Sequence, residues 1–299
     1  MSGESPRHPM DHFPVRPLEF DVDGLAGKDP VWSRSCPEFA MFLNALGIHV
    51  PYFERYLIRV LNRAKASVDD PELREAMSGI IGQEAHHAKN FIAYNRFLAA
   101  TYPRAADFDA EARDFFIEHL KTDSPRRQAA FTAGYETFTF LAGMVVLDNY
   151  DRWFSDSDPT IKAMWVWHQV EEVEHGAVAF DVYKKLYGKH EWYRKYMVLV
   201  ALKHIAGETL RAYFHMARQS GYLRNPWRAW KSTKFVVGTL LRMLWLAKPV
   251  MSRRYHPRNH PLVTDRQNPI AVAWRKFEGD GGDVLAIDRE KMDLILRTN

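Results

Sequence analysis

The sequence predicts an all-α protein organised around a helical bundle. Three observations carry this. Apolar residues recur at helical spacing from Pro37 onward, and no stretch alternates as a β-strand does. A capping residue is followed directly by proline at Asp70-Pro71, Ser124-Pro125 and Asp158-Pro159, the pattern of a helix start. A Glu and a His three residues apart, on an otherwise apolar helical face, occur twice.

The chain has 299 residues, 46% hydrophobic and 26% charged, which is a globular composition with ample core material. Its length suits one large domain or a domain with an appendage. We divide it into an extended arm (1–35), a helical bundle (36–220) and a basic, Trp-rich helical extension packed on the bundle (221–299). The opening MSGESPRHPMDHFPVRP lacks the apolar run of a secretion signal, so a cytoplasmic location is the default. Cys36 is the single cysteine, which excludes a disulfide framework and a thiolate metal site. Metal chemistry would therefore use His, Asp and Glu.

The first helix is expected from about Pro37 to Lys65, with Pro51 kinking or dividing it. Glu54 sits on its apolar face between Val50 and Leu57. The second runs from Asp70-Pro71 to about Ala100, and its inward face reads Leu73, Met77, Ile80, Glu84, His87, Phe91. A shorter polar helix is expected over 108–121. The third main helix runs from Ser124-Pro125 to about Tyr150, with Glu136 alone among Ala129, Ala133, Phe140, Gly143 and Leu147. The fourth runs from Asp158-Pro159 to about Tyr187-Gly188, with Trp165, His168, Glu172, His175 and Ala179 on one face. A fifth spans about Glu191–Arg218, and a short one lies near Pro269–Glu278.

Four helices thus supply Glu54; Glu84 with His87; Glu136; and Glu172 with His175. One Glu from each of two helices, and a Glu-x-x-His from each of two others, is the ligand set of ferritin-like di-iron and di-manganese carboxylate proteins. The gaps Glu54–Glu84 (30 residues) and Glu136–Glu172 (36 residues) suit antiparallel helix pairs with short connections. Four carboxylates and two imidazoles offset the charge of two Fe ions, or of a Mn/Fe pair. The alternative is that these are solvated residues on misread faces. It must then explain why six of them fall on apolar stripes, where an unpaired charge is costly.

His168, one turn before Glu172, is a candidate further ligand or hydrogen-bond donor, with a core histidine as the alternative. His86 is expected at the surface or behind the ligands. Glu171 and Glu174, on other faces, are expected to be solvated or paired with Lys or Arg. Tyr52, Tyr135 and Tyr183 are candidates near the metals, Asp181 is a candidate to orient a histidine, and His204 and His215 read as structural.

The segments GQEAHH, EEVEHG with its downstream Phe-Asp-Val-Tyr, and YHPRNHP resemble the family of predicted metal-dependent hydrolases, over roughly residues 30–265. More broadly the motif set is similar to ferritin-like oxygenases, desaturases and N-oxygenases. That likeness implies a buried di-iron site that activates O₂ and oxidises an organic substrate.

From Thr209 to Thr264 there is no Asp or Glu, while eleven Lys or Arg fall there, so a chain of net charge +4 is about −7 elsewhere. The apolar stretch Phe235–Met251 is short and carries Arg242 and Lys248, which argues against a spanning helix. Trp227, Trp230 and Trp245 interleave with the cations, which suits an anionic membrane surface at the inner face of a membrane. A helix covering the bundle, or a homodimer contact, is the plainer reading. No nucleic-acid motif is present, so no nucleic-acid partner is expected.

The function these readings favour is a di-iron or Mn/Fe carboxylate oxidoreductase. Its partners would be O₂, an electron donor of unknown kind and a small apolar or lipid-like substrate. The alternatives are a metal-dependent hydrolase that uses a metal-activated water, and a non-enzymatic iron-handling bundle.

Overall fold

The helix starts follow one local rule. In the computed structural model, which describes residues 8, 10, 12–264, 268–285, 287, 290, 291 and 294, a polar side chain caps and a proline occupies the first turn of five helices. Asp70 accepts from the Glu72 and Leu73 N–H groups to open α3 (Pro71–Thr101). Ser124 accepts from Arg127 N–H to open α5 (Pro125–Asp148). Asp158 does the same for α7 (Pro159–His175), Asn225 for α10 (Pro226–Leu246) and Asn268 for α12 (Pro269–Gly279). Each cap satisfies backbone donors left without an intrahelical partner, and proline has no N–H to orphan there.

Two expected long helices are each divided. The first becomes α1 (Pro37–Gly47) and α2 (Val50–Lys65), because Pro51 cannot donate to the Gly47 carbonyl. The fourth breaks at Gly176 into α7 and α8 (Val178–Tyr187). A Cβ at Gly176 would lie 2.9 Å from Phe140, so the break lets the backbone pass close to the facing helix. Gly188 ends α8 at φ −56°, leading into a 3₁₀ turn rather than forming a left-handed cap. The polar helix α4 covers Ala105–Thr122, a single turn α6 covers Tyr150–Trp153, and α9 covers Glu191–Gln219. The short α11 (Pro261–Thr264) precedes α12. Among the described residues there is no strand, only the isolated bridge Ser33–Ser157.

Helices α2 and α3 run antiparallel. Lys65 reaches Ser78 near their connection, Glu54 faces His87 further along, and Asn95 donates to the Ile48 carbonyl at the far end. Helices α5 and α7 also run antiparallel, with Gly143 against Gln169–Val173 and Phe140 against Gly176. Helix α5 is the central one. It is long and apolar enough to cross a membrane, and 89% of its apolar window is buried inside the protein. Helix α7 is buried on all sides, from Ile161 to His175.

Two apolar clusters fill the interior. One joins α1, the C-terminal part of α3, α7, α9 and α10 through residues such as Phe91, Trp165 and Val236. The other joins α2, the N-terminal part of α3 and α8 through Phe53, Ile80 and Val178. The predicted polar residues lie on the turns where these clusters meet. Of the expected arm, residues 1–7, 9 and 11 lie outside the described residues. The rest runs over the bundle with one 3₁₀ turn and buries Phe13, Arg16, Phe20, Val22 and Leu25.

Candidate metal centre

Four helices bring Glu54, Glu84, His87, Glu136, His168, Glu172 and His175 into one buried cluster. None is more than 3% exposed. The group holds two overlapping sets of donor atoms. Glu54, His87, His168 and Glu172 form one, Glu84, Glu172 and His175 the other, and Glu172 belongs to both. Glu84 also spans them, with Oε2 3.3 Å from His87 Nδ1 and Oε1 3.4 Å from His175 Nε2. Glu136 Oε2 stands 3.5 Å from His175 Nε2, on the side of the second set.

The carboxylates are poorly satisfied by protein alone. Glu54 Oε2, Glu84 Oε1, both Glu136 oxygens, Glu172 Oε2 and His175 Nε2 are buried without a hydrogen-bond partner. One orphaned oxygen in a core is costly, and several converging on one point are relieved by a proton or a cation. The donor set therefore fits metal ions: hard oxygen donors with imidazole nitrogens, and one carboxylate placed to bridge.

Electrostatics agree. Burial, reinforced by Glu84 and Glu172, pushes the Glu54 carboxyl well above its usual range. Burial, with Glu172, Glu84 and Glu54, does the same for Glu136, and burial raises Glu84 against the pull of His175 and His87. Glu172 is the exception. Burial pushes it up, but His175, His168 and His87 together outweigh this and hold it below the usual carboxylate range. A cation at the cluster would replace the protons these groups otherwise retain.

Each Glu-x-x-His histidine is oriented from behind. His87 turns Nδ1 to the cluster and donates from Nε2 to Glu171 Oε2 at 2.9 Å. His175 turns Nε2 to the cluster and donates from Nδ1 to Gln83 Oε1 at 2.9 Å, while Gln83 donates to Glu174 Oε2 at 3.1 Å. Both chains end on Arg16. Its guanidinium reaches Glu171 Oε1 at 2.9 Å and Glu174 Oε2 at 2.8 Å, with Glu278 3.4 Å away and the Trp274 ring 5.1 Å away. One arginine from the N-terminal arm thus anchors the supports of both histidines, and α12 covers it. Against burial, Glu171 and Glu84 hold the His87 pKa up, and Glu172 and Glu84 that of His175; a metal that displaced the cluster-facing proton would leave each ring in the tautomer these contacts support.

His168 enters the cluster through Nε2, 3.2 Å from Glu172 Oε1 and 3.4 Å from Glu54 Oε1. Burial holds its pKa down at about 3, so it is neutral. The Gln169 side-chain nitrogen lies 2.7 Å from Nδ1. With that amide orientation the His168 proton sits on Nε2 and is donated to the carboxylates. The flipped amide would make Nε2 a ligand.

Glu171 and Glu174 are buried and paired with Arg16, not solvated. A helix buried all round leaves them no wet face, and the apolar residues on every side of α7 are the signal for this in the sequence. Arg16 and Gln83 carried no such signal. Tyr52 donates to Asp109, Tyr135 pairs with His204, and Tyr183 donates to the His190 carbonyl, so all three bond away from the cluster. Asp181 does orient a histidine, but it is His256 of the YHPRNHP segment, at 2.7 Å. His86 is half-buried and carries the Asn90 side chain on its carbonyl.

An apolar cavity of about 80 Å³ has His168 and Gln169 in its lining. A water needs roughly 10–15 Å³ on the same measure, so a slender chain of several atoms would fit. Its inner walls are Phe53, Tyr135, Phe138 and Val146. Its outer end is formed by half-buried Phe42, Leu202, Ile205, Leu240 and Met243 of α1, α9 and α10.

The chain belongs to the family described as predicted metal-dependent hydrolase, whose model matches residues 14–261. It matches no curated protein and no solved structure. The family corrects the O₂-activating oxidoreductase and di-iron oxygenase expected from the ligand pattern, and favours the hydrolase alternative. The physical reason is that carboxylate and imidazole ligands serve Lewis-acid and redox metals alike, so their spacing does not choose the reaction. The expectations of O₂ and an electron donor belonged to the corrected reading.

Proposed function

We propose that the protein is a hydrolase whose metal centre is the seven-residue cluster, acting on a bond at the end of a slender apolar molecule. The observation that carries this is the convergence of orphaned Glu54, Glu84, Glu136 and Glu172 oxygens beside His168, which also lines an apolar cavity. In this reading the α2–α3 and α5–α7 pairs form a ferritin-like bundle. Two ions, iron or manganese, would be held by Glu54, Glu84, His87, Glu136, Glu172 and His175, with His168 beside them. Bound there, such ions supply Lewis acidity, which polarises the scissile bond and makes water acidic enough to attack at neutral pH.

The chain's own residues do the rest. Glu171 and Gln83 hold His87 and His175 in their ligating tautomers, and Arg16 holds Glu171 and Glu174. Phe53, Tyr135 and Phe138 exclude bulk water and seat the apolar body. His168, neutral and beside Glu54 and Glu172, is placed to donate a hydrogen bond from Nε2 to a carboxylate or to negative charge developing on the substrate.

The test is elemental analysis of purified protein, followed by hydrolysis of p-nitrophenyl esters of increasing chain length with and without O₂. About two metals per chain, and chelator-sensitive hydrolysis that needs no O₂, are expected. Metal-free protein after reconstitution, or hydrolysis untouched by chelation, refutes the reading.

A further inference from the structure

Helix α10 has two unlike faces. Its inner face, with Phe235, Leu240 and Met243, closes the outer end of the cavity that leads to His168. Its outer face exposes Trp227, Trp230, Leu241 and Trp245, at 65%, 59%, 61% and 63% of their surface. Lys234 and Val237 complete this stripe, with steps of three or four residues from 227 to 245. Four large apolar side chains in water along one helix mark a surface built for contact.

The charge around the stripe has one sign. No Asp or Glu occurs between 209 and 264. Arg242 pairs with Asp148 at 3.3 Å, but among the described residues Arg224, Lys231, Lys234, Lys248, Arg253 and Arg254 have no carboxylate partner. Lys231 instead lies over the Trp227 ring and Arg228 over the Tyr222 ring, at 5.8 Å and 5.3 Å. Tryptophan beside unpaired cation on an exposed helix complements an anionic lipid surface, with rings at the headgroup level and cations on phosphates. A two-fold contact between copies of this face would set cation against cation.

We propose that α10 lies in the headgroup layer of an anionic membrane and admits an uncharged single-chain lipid, a fatty ester or amide, beneath it into the cavity. Entry past Leu240 and Met243 brings the substrate from the membrane without crossing water. An ionised headgroup is excluded by the apolar walls, which offer it no compensating partner. The docking stands on α10 alone. The identity of the lipid rests on the hydrolase reading.

The experiment is co-sedimentation of the full chain with phosphatidylcholine vesicles, with and without phosphatidylserine, at low and high salt. Binding should need phosphatidylserine, weaken with salt and shift tryptophan emission to the blue. A triple reversal, Arg228→Glu with Lys231→Glu and Lys234→Glu, should weaken binding by more than about a hundredfold, the effect of losing three attractions alone. Trp227→Ala with Trp230→Ala and Trp245→Ala should weaken it independently, both variants keeping wild-type helix content. Wild-type protein that ignores anionic vesicles overturns the proposal, as does binding that both variants retain. A wild-type dimer that both variants dissociate, with no vesicle binding, also overturns it and assigns the face to self-contact. Turnover is read separately on a long-chain ester: hydrolysis without vesicle binding refutes docking alone, and binding without hydrolysis supports docking while counting against the hydrolase reading.

Discussion

Replacing Arg16 by Met tests whether the buried network behind the candidate metal ligands positions them. The side chain is 4% exposed and bonds two carboxylates, Glu171 and Glu174, that are themselves buried. Met fills a similar volume and removes only the charge and the donors. Deleting one partner of a buried ion pair costs roughly 3–5 kcal/mol, because the remaining charge has no water to turn to. A second estimate agrees: holding one such carboxyl protonated at pH 7, against an ordinary glutamate value near 4.3, costs about 3.7 kcal/mol. For a chain of 299 residues that lowers the melting temperature by about 6 °C. The difference from wild type should shrink as pH falls from 7 toward 5. With Arg16 gone, Glu171 keeps only His87 and Glu174 keeps Gln83 and Arg275 at 3.8 Å, so burial favours the protonated carboxyl more than in wild type, and the penalty is greatest at high pH and relieved by protonation.

Metal affinity should fall about 10–100-fold in the same variant, since His87 and His175 lose their supports together. Thermal unfolding across pH and metal titration of the stripped protein measure these effects. Arg16→Lys should recover part of the stability, but less of the metal affinity, because one ammonium cannot hold both carboxylates in a fork. Unchanged melting and unchanged affinity in Arg16→Met would refute the network.

Three further outcomes follow from the geometry. His87→Ala or His175→Ala should lower bound metal by half or more with helix content retained, whereas His168→Ala should lose less metal if Nε2 is a donor and as much if it is a ligand; elemental analysis decides. Gly143→Ala places a Cβ 3.0 Å from the Gln169 carbonyl, which should cost about 1–3 kcal/mol in denaturant unfolding and weaken metal binding by forcing α5 from α7. Burial holds His49 neutral, with a pKa of about 3. The unfolded chain takes up the proton first as pH drops below about 6.5, so stability is flat above that value and falls by about 1.4 kcal/mol by pH 5.5; His49→Phe should remove this share of the acid slope in unfolding measured against pH.

The oxidase expectation shows where spacing stops informing. Glu54, Glu84, His87, Glu136, Glu172 and His175 were legible because each interrupts an apolar stripe of known period, and a charge there demands a partner. The direction of their chemistry was not legible, since the same ligands suit a metal that cycles electrons and one that only polarises.

What the sequence determined by itself is local. Capping residues followed by proline set the starts of α3, α5 and α7, Pro51 divided the first helix, and a period near 3.6 aligned the Glu and His residues on their faces. These features depend on neighbours within about one turn, which the chain order states directly. What only the tertiary structure decided is which side chains meet across helices. Arg16 bridges 155 residues to Glu171 and 158 to Glu174, and Gln83 reaches His175 across 92. The inner face of α10 became a cavity wall while its outer face stayed in water. Such pairings are set by how whole helices pack, and no window along the chain contains both partners.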